Sequence, residues 1–178
     1  MKRKNIKGTI KNFFFLNPSI KMRVRQIERE LKLPLPSVIR YTKELEEEEI
    51  LKKEKLAGAV LFSANRSSQK SYLLEKKLYN IEQLYRSGLI DYLTDKLSNP
   101  IIIVFGSYSK GEDNENSDVD LYVQTHSKNI VKLEKFEKLL KRNIQLFIHS
   151  DLKEVKNPHL MNNIINGITL NNFLEVFK

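Results

Sequence analysis

Cysteine is absent from this chain of 178 residues, which excludes disulfides and any zinc site built on thiolates. No apolar run approaches the length of a membrane span. The basic start Met1-Lys2-Arg3-Lys4-Asn5-Ile6 lacks the apolar stretch and small-residue cleavage site of a secretory signal. A cytoplasmic location and no membrane partner are the expectation. Internal repeats and low-complexity tracts are also missing, and His126, His149 and His159 are too scattered along the sequence to propose a metal site. What is present, 40% hydrophobic residues, suits one or two small domains, each with its own core.

The net charge of +9 is unevenly placed. Residues 1–66 carry 16 Lys and Arg against 8 Asp and Glu, whereas residues 67–178 carry 15 against 14. Almost all of the positive excess is therefore N-terminal, as in a module that faces nucleic acid joined to a nearly neutral one. The layout of the first third agrees. Residues 6–16 read as a helix with Ile10, Phe13 and Phe14 on one face, ended by Asn17-Pro18, and Phe13-Phe14-Phe15 is expected in the core. A second helix is predicted over about 22–31, with Val24, Ile27 and Leu31 inward. After the turn Leu33-Pro34-Leu35-Pro36-Ser37, a third spans about 36–49 and buries Val38, Ile39, Leu45 and Ile50. Its first half exposes Ser37, Arg40, Tyr41 and Lys43, the positions from which a recognition helix reaches base edges. Residues 51–63 then read as two short strands around Gly58. Residues 1–66 as a whole resemble a winged helix-turn-helix DNA-binding domain. The resemblance implies double-stranded DNA as partner, with Lys52, Lys53, Lys55 and Arg66 on phosphates and Arg40, Tyr41 and Lys43 toward the groove. The run Glu46 to Glu49 is unfavourable at a helix C-terminus and is expected to be solvated, facing away from DNA.

Residues 67–98 read as a helical linker of two helices broken at Gly88, with Leu74, Leu78, Ile81, Tyr85, Leu89 and Leu93 near helical spacing. Next comes Ile101-Ile102-Ile103-Val104-Phe105, short and β-branched, ended by Gly106 and therefore a buried strand. Behind it stand Gly106-Ser107, ten residues, and Asp118-Val119-Asp120. Glycine lets a backbone approach phosphate closely, and the Ser107 hydroxyl can donate to its oxygens. Alternation along a strand over residues 117–123 sends Asp118 and Asp120 to one face and Val119, Leu121 and Val123 to the other. Two converging carboxylates beside a phosphate-sized turn form a donor set for Mg²⁺ with a nucleoside triphosphate.

This arrangement resembles the nucleotidyltransferase superfamily typified by DNA polymerase beta, and within it the minimal nucleotidyltransferases whose signature is Gly-Ser, ten residues, Asp-x-Asp. The resemblance runs from about Asn99 to the C-terminus and implies a mixed sheet with flanking helices over residues 99–178. It implies that Gly106 and Ser107 contact triphosphate oxygens and that Asp118 and Asp120 bind metal. Lys110 and Gly111 stand where the family often has a basic residue followed by glycine. Members that catalyse usually carry a third carboxylate on the next strand. Here that strand is Ile144-Gln145-Leu146-Phe147-Ile148, and an amide such as Gln145 neither accepts a proton nor supplies charge. Asp151, three residues beyond, is the candidate substitute, while Glu112, Asp113 and Glu115 read as a solvated acidic loop. An amphipathic helix is predicted over 127–141 through Ile130, Leu133, Phe136 and Leu140. A last helix begins at Asn157-Pro158, ends near Gly167 and buries Leu160, Ile164 and Ile165.

The fold class expected is α+β: a winged helix-turn-helix, a helical linker and a nucleotidyltransferase-fold mixed sheet. The resemblance implies transfer of a nucleoside monophosphate from ATP or another triphosphate to a protein or RNA hydroxyl. Antitoxins of this signature often modify a HEPN-type toxin protein. The competing reading is a DNA-bound regulator whose second half binds nucleotide or partner without turnover. Winged helices commonly form homodimers, but no heptad here argues for one.

Overall fold

The computed structural model describes residues 5–176. The basic residues 1–4 and the last two, 177–178, lie outside the described residues. The chain forms two compact units, residues 1–76 and 77–178. Among the described residues no helix is long and apolar enough to cross a membrane.

In the first unit, α1 (Ile6–Leu16) starts where the Asn5 side chain accepts a hydrogen bond from the Gly8 amide at 2.9 Å. It buries Ile10, Phe14 and Phe15, leaving Phe13 half-buried. A two-residue strand β1 (Lys21–Met22) follows, so α2 (Val24–Leu31) begins two residues later than its periodicity predicts. Met22 pairs with Phe62 instead of opening the helix. Helix α3 (Leu35–Glu47) carries Pro36 in its first turn, where a missing N–H costs nothing. It buries Val38, Thr42 and Leu45, and the Thr42 hydroxyl donates to the Val38 carbonyl at 2.8 Å. Ile39 is 52% exposed, contrary to expectation. It lies one position, about 100°, off the stripe set by residues four and three apart. Strands β2 (Leu51–Leu56) and β3 (Ala59–Ala64) form a hairpin, and β1 pairs with the other edge of β3. Both loop residues, Ala57 (φ 47°) and Gly58 (φ 76°), are left-handed, the turn that matches strand twist. The glutamate run is not merely solvated. Glu46, Glu47 and Glu48 pair with Lys53, Lys43 and Lys7 at 3.2, 3.8 and 2.6 Å.

Helix α4 (Leu74–Arg86) belongs partly to each unit. Its sequence periodicity points Leu78 and Tyr85 inward, yet they are 59% and 46% exposed, while Asn80 and Leu84 are buried. Leu74 is exposed as well. A polar network captures the helix. The Asn80 side chain donates to the Tyr108 carbonyl at 2.9 Å and to Asp113 at 2.7 Å.

The second unit then runs through α5 (Leu89–Lys96), β4 (Ile101–Phe105), α6 (Gly106–Lys110) and β5 (Val119–Gln124). It continues with α7 (Glu134–Leu140), β6 (Ile144–His149), α8 (Pro158–Ile165) and β7 (Ile168–Asn171). The sheet order is β6-β5-β4-β7, with β5 and β6 parallel and the other pairs antiparallel. One face buries Ile102, Val104, Val119, Leu121 and Val123 with α5 and with Phe136 and Leu140 of α7. The other buries Ile103, Phe105 and Tyr122 with Leu152, Val155 and Ile164. Ile165 is exposed instead of core.

Larger departures from the sequence reading occur here. Residues 127–133 are not helical, and Ile130 is 83% exposed. Side chains near and far claim that backbone: Thr125 accepts from the Ser127 amide, Ser127 from the Asn129 amide, and the distant Tyr92 hydroxyl from the Lys132 amide. Strand β7 was not foreseen. It fits because a Cβ at Gly167 would stand 2.6 Å from Ile103 Cγ2 and 2.7 Å from the Val104 carbonyl, so only glycine lets the chain lie down on β4. Finally, Asp113 is no part of a solvated loop. It is 1% exposed, pairs with the nearly buried Arg142 at 3.5 Å and accepts from Asn80.

Removing one partner of a buried ion pair strands the other charge, at a cost of about 3–5 kcal/mol. Asp113→Ala is expected to lose that much stability in urea unfolding, whereas Asn116→Ala, at an exposed position of the same loop, is expected to stay within roughly 0.5 kcal/mol of the parent.

Candidate functional site

Antiparallel pairing sets Phe105, the last residue of β4, opposite Asp120 on β5. The residue after Phe105 is Gly106, in a left-handed conformation (φ 72°). A Cβ built there would overlap Oδ2 of Asp120. Glycine is thus required twice, by the backbone angle and by the carboxylate lying against it. The two halves of the motif, separated by ten residues in the chain, meet in space.

Beyond the turn, Ser107 is half-buried and its carbonyl accepts from the Glu112 amide at 3.0 Å. The Ser109 hydroxyl donates to the Gly106 carbonyl at 2.9 Å. Gly111 closes α6 with φ 76°, and Lys110 stands exposed beside it. Asp118 directly precedes β5, and its Oδ1 accepts from Nδ2 of Asn143 at 3.2 Å. Val119, between the two aspartates, is fully buried on the opposite face. Partial burial raises the pKa of Asp120, and the neighbouring charge of Asp118 raises it further. The carboxylates are close enough to repel, which is the condition a shared cation relieves.

Parallel pairing puts Gln145 of β6 opposite Asp120, on the same face. The slot for a third carboxylate is therefore filled by an exposed amide. Asp151 does not replace it. It lies past the far end of β6, six residues or about 20 Å along an extended chain, and its Oδ1 accepts from the Lys153 amide to cap the 3₁₀ turn Leu152–Glu154. Among the described residues no group of three or more His, Cys, Asp or Glu gathers to hold a metal. A polar cavity of about 730 Å³ opens beside Asp118, lined by Ser117, Glu137, Lys138, Lys141 and Asn143 among others. Asn143 is the site residue that sequence reasoning missed. Its signal was weak, a single amide just before an apolar strand, and only the Val119 amide bonding the Asn143 carbonyl at 2.8 Å brings it to Asp118.

In the first unit the candidate DNA-facing residues fall on two elements. Ser37, Arg40, Tyr41 and Lys43 are on α3, with Arg40 stacked 4.3 Å above the Tyr41 ring and 3.6 Å from Glu44. Lys52, Lys53 and Lys55 are on β2 and exposed, as is Arg66. Lys52 pairs with Glu54 at 3.1 Å and Lys53 with Glu46, so part of their charge is already met within the unit.

Because the folded state resists ionisation of Asp120, its charge costs stability once pH rises above the raised pKa, and the penalty vanishes below the ordinary carboxylate value, where both states are protonated. Metal-free Asp120→Asn is therefore expected to melt above the parent at neutral pH, with the difference fading on acidification. Melting curves across pH check this, and a variant that melts lower at neutral pH contradicts it.

Comparison with known proteins matches part of the chain to a family model. Residues 87–172 fit the family model for polymerase beta, nucleotidyltransferase. No curated protein and no solved structure matches the chain significantly. The matched segment opens just before α5 and closes just after β7, so it takes in the whole sheet and both halves of the motif. This match supports the nucleotidyltransferase superfamily, and a general nucleotidyltransferase function, for the second unit of the chain.

Proposed function

We propose that the second unit transfers a nucleoside monophosphate from a nucleoside triphosphate, ATP first, to a hydroxyl of a protein or RNA. The observation that carries this reading is the contact between Gly106 and Asp120, which joins a phosphate-sized turn to a pair of carboxylates. The donor set fits a hard divalent cation: two carboxylate side chains, with phosphate oxygens and water completing the shell. Asp118 and Asp120 would hold Mg²⁺, which when bound supplies neutralisation of charge on the phosphoryl oxygens. Gly106 and Ser107 receive the triphosphate tail and Lys110 adds a positive charge near it. The acceptor oxygen forms a bond to the α-phosphorus as the bond to the bridging oxygen breaks, and pyrophosphate leaves. The acceptor proton passes to water, because Gln145 offers no basic oxygen.

The same reading takes the first unit as a DNA-binding winged helix. Support comes from its element order, three helices and then a hairpin whose second strand also pairs with β1, and from its positive excess. An antitoxin that modifies a HEPN-type toxin and binds its own operator in the cytoplasm would use both units. With labelled ATP, Mg²⁺ and such a partner, Asp118→Ala and Asp120→Ala are each expected to lower label transfer by ~10²-fold or more, as loss of a main electrostatic element does. Equal labelling by parent and variants sinks the proposal.

A second reading has its own observation. Gln145 opposite Asp120 leaves the site without a base, which favours a DNA-bound regulator that grips nucleotide or partner without turnover. A duplex titration against salt addresses it. Affinity is expected to fall with a slope near −0.9 per phosphate neutralised on logarithmic axes, and Lys55→Ala to make that slope shallower by about 1. Absence of duplex binding at low salt removes the regulator reading.

A further inference from the structure

We propose that the outer surface of α7 and the coil before it form a docking groove for an acidic amphipathic helix of a partner protein, leading its acceptor group to the cavity beside Asp118. The delivery half of this statement rests on the transfer reading above. The docking half stands without it.

The groove encloses about 830 Å³. Tyr92, Phe136 and Leu139 form its apolar floor, and Lys132, Lys135 and Lys138 its rim. Leu139 is 59% exposed, and Ile130, two residues before Lys132, protrudes almost fully into solvent. Scattered apolar residues on a surface mean little, whereas several lining one depression mark a contact site. The charge around them has one dominant sign. Residues 128–141 contain five lysines against Glu134 and Glu137, and Glu137 Oε1 is engaged by the Ile144 amide at 3.0 Å. Lys135 holds its ammonium 5.7 Å from the centre of the Phe136 ring, so positive charge lies directly over the apolar floor. An apolar stripe flanked by carboxylates complements both features, as in the laying of an amphipathic helix into a groove. RNA would satisfy the lysines, but Phe136 is buried with Tyr92 packed 5.0 Å from it, and the apolar residues that stand out into solvent, Leu139 and Ile130, are aliphatic and offer bases no ring to stack on. Position gives the groove its purpose. Glu134 and Lys138 line both this groove and the cavity at Asp118, so the two depressions adjoin along α7.

The test uses the full chain and a fluorescent synthetic helical peptide with leucines on one face and glutamates on the flanks. The peptide is expected to bind, and Leu139→Asp and Lys135→Glu to weaken it ~10-fold or more, as loss of central contacts does, with melting temperature and Mg²⁺ titration unchanged. A peptide with lysine in place of glutamate is expected not to bind. The proposal is overturned if the peptide does not bind the parent, if both variants bind it as the parent does, or if single-stranded RNA displaces it in a Lys135-dependent way. Asp118→Ala separates the two readings: retained peptide binding with unchanged label transfer counts against the transfer site and leaves the groove standing.

Discussion

Between Gly106 and Asp118 the chain leaves the sheet and must return with a carboxylate facing the turn it departed from. The buried carboxylate of Asp113 governs that return. Held by Asn80 from α4 and by Arg142 from the start of the segment leading into β6, it ties the middle of the excursion to two points outside it. Asn80 simultaneously takes the Tyr108 carbonyl, so the same amide fixes the short helix that carries Ser107. Burial and the Asp113 charge push the Tyr108 phenol far above its usual range, which keeps that ring neutral and packed. An ion pair so deep is weak evidence for stability, since its desolvation offsets much of its attraction. Its value here is geometric. It anchors the loop between the turn at Gly106 and the strand that brings Asp120 against it.

Much of the site was legible in the sequence because its determinants are local. Alternation in β5 told which side Asp118 and Asp120 share, and a β-branched run ending in glycine told where β4 stops. Gln145 fell opposite Asp120, at the slot a strand count assigns it. What could not be read depended on partners distant in the chain. Asp113 looks solvated among Glu112 and Glu115 until Arg142 and Asn80 arrive from elsewhere. The apolar periodicity of α4 pointed to Leu78 and Tyr85, but the fold turned the helix to place Asn80, a polar residue no hydrophobic pattern selects. Strand β7 follows a helix by way of Gly167, and four residues of mixed character give too little signal to separate strand from coil.

The segment after β5 shows the opposite failure, a helical pattern without a helix. Residues 127–133 have the right apolar spacing, yet the Thr125 and Ser127 hydroxyls accept from the Ser127 and Asn129 amides, and Val131 and Leu133 pack against the core without a helix. Ile130, which a helix would have tucked away, is left in solvent. In the first unit the mismatch is smaller. Ile39 misses the buried stripe by one position, and Thr42 takes its place with its hydroxyl satisfied.

Asp120 is kept where its surroundings oppose its charge, and the two acids are kept where they oppose each other. A directed-evolution campaign that rewarded this chain for heat tolerance alone would be drawn to amides at that position, improving the scaffold while removing a carboxylate from the proposed cation site. Any stabilised version of the protein should therefore be engineered with Asp118, Asp120 and Gly106 held out of the library.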